Sequence, residues 1–208
     1  MSKNFNNKLA IIILSAGQSS RLGQMKQLIS IKGKSLIVSQ LEQALKVTSA
    51  VYCVLGFNAE QVKAEIEHLP IKTIINSQWS DGMASSLASG VKALAPDINA
   101  VMIVLVDQWQ LTSADLIRHR QSWQQQPSAI VVAQNISATN NRESIGPPVI
   151  FPRTYFAELI QLQGKQGAKV LLDKYQTNLL KIPLAHAFVD LDTPEQLIAM
   201  KKTLGVKA

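Results

Sequence analysis

With 208 residues, 47% of them hydrophobic, the chain has the length for one sizeable α/β core and is short for two, so residues 1–208 are read as a single domain. A formal net charge of +7 raises nucleic acid as a partner, but the cations are scattered and aromatic residues make up only 5%, which points to a solvated basic surface instead. The longest apolar run, Ala100 to Val106, is far below the ~20 residues that span a bilayer, and the run after Lys8 is too short for a secretory leader, so neither a membrane nor export is expected.

The first predicted element is a strand at Ile11 to Leu14. Its run is continuous, as in strands covered on both faces, and it stops abruptly at SAGQSSRLGQMK. Open α/β sheets bind ligands at such carboxyl strand ends. The small residues Ser15, Ala16, Gly17, Ser19, Ser20 and Gly23 let backbone N–H groups approach a polyanion, and Arg21 and Lys26 add fixed positive charge. Phosphate is the ligand that fits this chemistry, and Lys32 and Lys34 extend the basic cluster. Neither better-known phosphate motif matches. Gly33-Lys34-Ser35 mimics the end of a Walker A loop, but that motif's first glycine would stand where Leu28 is, and Gly17 and Gly23 are wrongly spaced for the dinucleotide fingerprint.

The Gly33 triplet reads as a turn before a helix carrying Leu36, Leu41, Ala44 and Leu45. A strand at Val51 to Leu55 follows, with Cys53 as a buried thiol, then a helix capped by Asn58 and a strand at Lys72 to Ile75. This alternation predicts a mostly parallel sheet with helices on both faces. Another helix begins within NSQWSDGMASSL and carries Leu87, Val91 and Leu94; Gly82, Ser85 and Ser86 fall at its first turn, where unpaired N–H groups can meet an anion or a carbonyl. The strand at Ala100 to Val106 ends in Asp107-Gln108. A carboxylate at the tip of a buried strand is costly unless a cation meets it, and Thr112 is the better cap for the next helix, so Asp107 is read as a Mg²⁺ ligand.

Beyond the helix from Thr112 to Gln124 come a strand at Ala129 to Ala133, a polar loop from Gln134 to Ile145 near the second substrate, and a strand opened by Pro147-Pro148. Helices are expected from Arg153 to Gln163 and from near Gly167. In FVDLDTPEQL, Asp190 and Asp192 share a face if a strand continues through them, and Thr193, Pro194 and Gln196 form a capping box. Lys201, Lys202 and Lys207 suit the end of that helix. His68, His119 and His186 lack metal-ligand spacing, so any metal should be held by oxygen.

LSAGQSSRLGQMK resembles the signature loop LAAGxSxRMGxxK of the nucleotidyltransferases related to the molybdenum-cofactor cytidylyl- and guanylyltransferases. In family order, GMASSL resembles GMSSSL, LVDQ resembles LADQP, GPPVIF resembles GHPVLF, QGKQGAK resembles GDxGAR, and DLDTPEQL resembles DIDTPEDL. The resemblance implies a three-layer, Rossmann-like α/β nucleotidyltransferase fold and Mg²⁺ as cofactor. It implies nucleotide binding by Leu14, Ser15, Ala16, Gly17, Arg21, Lys26, Gly82, Ser85 and Ser86, with Arg21, Lys26 and Asp107 catalytic. Asp107 and Asp192 would hold the metal, Asp192 being favoured over Asp190 by the motif match, while Gln108, Gly146, Pro148, Gly167 and Lys169 would meet the acceptor.

The implied reaction is transfer of CMP from CTP to the terminal phosphate of a molybdopterin-type cofactor, in the cytoplasm. A molybdoenzyme or its maturation chaperone would receive the product, and neither nucleic acid nor membrane takes part. CTP is preferred because SAG resembles the AAG of the cytidylyl branch more than the LAGG of the guanylyl branch. The departures, Trp109 and Pro147 for proline and histidine, and Lys165 and Lys169 for aspartate and arginine, concentrate on the acceptor side. A guanylyltransferase, a transferase for a sugar phosphate or another acceptor, and a nucleotide-binding sensor or cofactor chaperone without turnover are the alternatives.

Overall fold

A computed structural model describes residues 7–205. The first apolar run forms β1 (Leu9–Ser15), buried at every position. Leu9, Ile11 and Ile13 join one hydrophobic core, whereas Ala10, Ile12 and Leu14 join a second. Side chains in a strand alternate between faces, so a strand buried on both faces tolerates no polar residue and reads as a continuous run. Each fully buried isoleucine stabilises the fold by about 1.5–3 kcal/mol.

After β1 the chain forms a small hairpin, β2 (Ser30–Ile31) and β3 (Lys34–Ser35), and enters α1 (Leu36–Leu45), where the Ser35 hydroxyl accepts from the Val38 amide. The Gly33 triplet is therefore not all turn, contrary to the expectation from the sequence: Gly33 ends the hairpin turn, Lys34 and Ser35 form β3, and the expected helix follows directly. The chain then runs through β4 (Val51–Leu55), α2 (Ala59–Ile66), β5 (Lys72–Ile75), α3 (Met83–Lys92), β6 (Ala100–Leu105), α4 (Ser113–Gln125), β7 (Ile130–Ile136), β8 (Glu143–Pro152), α5 (Phe156–Gln161), α6 (Lys169–Lys174), β9 (Leu179–Pro183) and α7 (Pro194–Leu204). Seven strands form one sheet in the order β5-β4-β1-β6-β8-β7-β9. Only β8 runs antiparallel to its neighbours. Leu41, Val62, Leu116 and Leu197 bring α1, α2, α4 and α7 to one core, while Leu87, Leu159 and Leu171 bring α3, α5 and α6 to the other. The expected mostly parallel α/β sandwich is present.

This strand order positions the site. From β1 the chain moves outward to β4 and β5, then returns to β6 on the other side of β1. The loops leaving β1 and β6 therefore diverge at the reversal, where open α/β sheets bind their ligands. Their starts stay adjacent, with the Val106 amide donating to the Leu14 carbonyl at 3.2 Å.

Several local expectations need correction. Asn58 precedes α2 but makes no side-chain cap; its backbone is left-handed, with φ of 47°. Half of the polar stretch from Gln134 to Ile145 is paired strand, with Gln134 opposite Ile145 and Ile136 opposite Glu143, because ladder bonds need backbone rather than apolar side chains; only residues 137–142 remain a loop. β9 is an unexpected edge strand, only partly buried, whose short sequence LLKIP carries little periodic signal. Residues 189–192 form no strand. The first helix after β8 is shorter than expected, a 3₁₀ turn at Arg153–Tyr155 leading into α5. Thr193 and Gln196 do form the reciprocal capping box of α7, with Lys201 and Lys202 in its last turn; Lys207 lies outside the described residues. Among the described residues no helix is long and apolar enough to cross a membrane.

Candidate functional site

The β1–α1 loop is held in shape by Gln27, 1% exposed, whose Nε2 donates to the carbonyls of Ser15 (3.0 Å) and Gly17 (2.9 Å). One glutamine thus ties the strand end to the loop that leaves it. A cavity of about 520 Å³ opens over this loop. Its walls include Leu14, Ser15, Ala16, Gly17, Arg21 and Lys26 from β1 and its loop, Gly82 and Ser86 from the start of α3, Asp107 from the β6 tip, and Asp192. Ten of the residues expected from the sequence therefore converge from four separate stretches of chain.

The charged groups are coupled. Lys26 is 8% exposed, and its Nζ donates to Asp107 Oδ2 at 2.7 Å and Asp192 Oδ1 at 2.6 Å. Arg21 reaches the other oxygen of Asp192 at 2.7 Å. Burial alone would lower the Lys26 pKa, but the charge and hydrogen bond of Asp107, followed by those of Asp192, hold it above its ordinary value. Burial likewise works to raise the Asp192 pKa, and Lys26 and Arg21 reverse that. Asp190 also lines the cavity but faces its like-charged neighbours less protected. Burial first, then Asp107 and Asp192, push its pKa up to about 6.

Asp190 carries a stability consequence. Between about pH 4 and 6 the folded chain keeps a proton that the unfolded chain releases, so this group lowers stability as the pH rises through that window. Asp190→Asn is therefore expected to match the parent at pH 4 and to exceed it at pH 7.5 by about 1–2 kcal/mol, a figure reduced for solvent screening. In EDTA this corresponds to a melting temperature higher by about 2–6 °C; equal melting at both pH values would contradict the assignment.

Whether these residues suit a metal can be tested on their chemistry. Asp107 Oδ1 is buried with no hydrogen-bond partner, an orphaned acceptor beside two more carboxylates. Among the described residues no group of three or more His, Cys, Asp or Glu is arranged as a complete metal cage. Hard oxygen donors, too few to enclose an ion, fit a divalent cation that takes its remaining ligands from substrate phosphates and water.

Other expected residues have different places. Ser85 faces away: its hydroxyl lies 2.8 Å from the Gln78 carbonyl and 2.9 Å from the Gly82 carbonyl, over a separate polar hollow, so it braces the turn that leads into α3. Gln108 is 2% exposed and has both ends of its amide engaged, accepting from Leu105 and donating to the carbonyls of Pro147 (2.7 Å) and Ala187 (2.8 Å); it braces the site rather than offering a group to an acceptor. Lys32 and Lys34 do not line the cavity, and Lys34 pairs with Glu42 at 2.6 Å.

Gly146 and Lys169 line a second cavity of about 260 Å³, largely apolar, which shares Leu14, Met83 and Leu105 with the first. Pro147 rather than Pro148 reaches it, because alternation along β8 buries Pro148, and Gly167 is buried against Met83. Gly82 is required where it stands. Its φ is +110°, and a Cβ there would lie 2.8 Å from the Gly164 carbonyl, so the segment before α6 can close over the start of α3. Trp79, Lys165 and Gln27 line the main cavity outside the expected set. Lys165 lies inside a quoted motif, Trp79 three residues before one and Gln27 directly after one, so proximity to a motif was the available signal.

Comparison with known proteins is consistent with this geometry. Residues 11–179 match the family model described as a MobA-like NTP transferase domain. A nicotine blue oxidoreductase from Paenarthrobacter nicotinovorans is 31% identical over 89% of this chain and 93% of its own length. The molybdenum cofactor cytidylyltransferase of Escherichia coli K12 is 24% identical over 92% of this chain and 94% of its own. The solved structure of Rv0371c from Mycobacterium tuberculosis H37Rv in complex with manganese superposes with a TM-score of 0.76 at 21% identity, covering 94% of this chain and 99% of that one.

Proposed function

The chain belongs to the MobA-like NTP transferase family, and from that premise we propose that it transfers CMP from CTP to the terminal phosphate of a molybdopterin-type cofactor, releasing pyrophosphate, as a cytoplasmic enzyme. The observation that carries the reading is Lys26 Nζ within 2.7 Å of both Asp107 and Asp192 at the mouth of the glycine-containing loop, with Arg21 beside them. Cations aimed at phosphates next to hard carboxylates are the equipment of phosphoryl transfer.

Asp107 and Asp192 would hold Mg²⁺, with Asp190 as a reserve of negative charge beside them. When bound, the ion supplies Lewis-acid charge neutralisation on the phosphates. Arg21 and Lys26 offset the charge that builds on the departing pyrophosphate, and the β1–α1 loop fixes the triphosphate so that the acceptor phosphate attacks the α-phosphorus from the opposite side. No covalent enzyme intermediate is needed. The neighbouring apolar cavity, with Gly146 and Lys169 in its wall, is where the acceptor's body would lie. The two relatives differ by name, one an oxidoreductase and one a cytidylyltransferase. The cation–carboxylate cluster favours the second.

Incubating the protein with Mg²⁺, each NTP in turn and a panel of acceptors including molybdopterin, while measuring pyrophosphate release, tests the proposal. Release is expected to be fastest with CTP and molybdopterin. Release with GTP, or with a sugar phosphate, would reassign the substrates. Tight nucleotide binding with no release from any pair would leave a nucleotide-binding protein without turnover.

A further inference from the structure

Trp79 stands on the 3₁₀ turn Trp79–Asp81 between β5 and α3, half-buried, in the wall of the 520 Å³ cavity. Its placement is closely fixed. A Cβ on Gly56, just past β4, would lie 2.4 Å from Trp79 Cβ and 2.8 Å from the Ala16 carbonyl, so glycine there lets the indole approach the β1 loop. Phe57 meets the indole edge-on, with ring centroids 5.5 Å apart and planes at 73°. The Phe57 amide donates to the Ala16 carbonyl at 3.0 Å, which ties this aromatic pair to the loop. An indole held in a T-shaped pair keeps its orientation, and an aromatic ring of fixed orientation in a cavity wall is a ready stacking surface.

The cavity has two chemical ends. Arg21, Lys26, Asp107 and Asp192 form the charged end, whereas the wall beside Trp79 is built from Ala16, Ser80, Gly82, Met83 and Ser86, with Lys165 at its exposed rim. A nucleotide has the same division, a polyanionic tail and a flat base. We propose that Trp79 is the platform on which the nucleobase stacks, a positioning residue for the nucleotide; this rests on the nucleotidyltransferase reading. Every base has a π-face, so the platform supports binding without choosing the base. Choice falls to edge contacts such as the Ser86 hydroxyl, which accepts from Asn76 Nδ2 at 3.0 Å and keeps its own proton to donate.

The test compares wild type, Trp79→Phe and Trp79→Leu, each titrated with Mg·CTP and Mg·GTP by calorimetry and by tryptophan fluorescence. Leucine keeps apolar packing against Gly56 and Phe57 without a π-face, and thermal melts of all three proteins check that the fold is retained. Trp109 and Trp123 do not line the cavity, so a nucleotide-dependent quench in wild type should vanish in Trp79→Phe. Trp79→Phe is expected to bind within about threefold of wild type, and Trp79→Leu to bind both nucleotides about tenfold to a hundredfold more weakly. Wild-type affinity in Trp79→Leu overturns stacking, as does a quench that persists in Trp79→Phe. Equal losses in the two variants also overturn it and assign the role to the indole N–H. If wild type itself binds no nucleotide, the nucleotidyltransferase reading falls together with this one, whereas the other three failures leave that reading standing.

Discussion

Asp107→Asn is expected to keep the fold and lower turnover by about a hundredfold to a thousandfold. The substitution is nearly isosteric, and Lys26 retains Asp192 at 2.6 Å, so the ammonium is not left unpaired. It also removes one of three crowded carboxylates, which offsets the lost ion pair; the melting temperature should move by only a few degrees. What is lost, under the proposed function, is a charged oxygen ligand. Neutralising phosphate charge through a bound cation contributes several kcal/mol to such transition states, and each ~1.4 kcal/mol is a factor of ten in rate. Steady-state pyrophosphate release gives the turnover, and Mn²⁺ binding followed by electron paramagnetic resonance gives an independent reading of the site. An unchanged rate with unchanged Mn²⁺ affinity would show that the metal is held elsewhere.

Asp107 was legible in the sequence because a buried strand and its tip leave few places for a carboxylate to go. The same holds for β1 and its loop: seven buried residues and a glycine-punctuated basic segment announce a strand end whose chemistry suits an anion. Asp190 and Asp192 were harder. Period-two alternation puts them on one face of a strand, yet residues 189–192 are irregular, and the two carboxylates reach the same cavity by loop geometry that no periodicity encodes. Side-chain bracing was also invisible. Gln108 looks like a ligand-binding residue from its motif, but three hydrogen bonds in a buried setting fix it as a support, and Ser85 is likewise engaged with the backbone. Trp79 depended on a contact between residues 56 and 79, a pairing created by the sheet and not by local sequence. What chain order hides here is convergence: local chemistry is readable, while the partners that complete it come from other strand ends.

That convergence makes Lys26 the residue whose loss should be felt in two ways. Lys26→Ala is expected to slow turnover about tenfold to a hundredfold through loss of one charge-assisted contact to phosphate. It should also destabilise the nucleotide-free protein by about 2–4 kcal/mol at pH 7–9, because Asp107, Asp190 and Asp192 then face one another with only Arg21 nearby. The pH dependence has a definite sign. The folded pKa of Lys26 is raised above 10.5, so its stabilising charge is fully present below that value and is lost only as the pH climbs through the folded pKa. At the acid end the deficit shrinks for a different reason: Lys26 and Arg21 hold the Asp192 carboxyl below its ordinary range, so that pairing persists to about pH 4 and the melts of parent and variant should converge only below it. Mg²⁺ separates this account from a simple packing loss. If Asp107 and Asp192 hold the cation, it competes with the lysine for them in the parent and meets no competitor in Lys26→Ala, so millimolar Mg²⁺ should raise the variant's melting temperature more than the parent's. Equal shifts would mean that these carboxylates answer to the lysine alone.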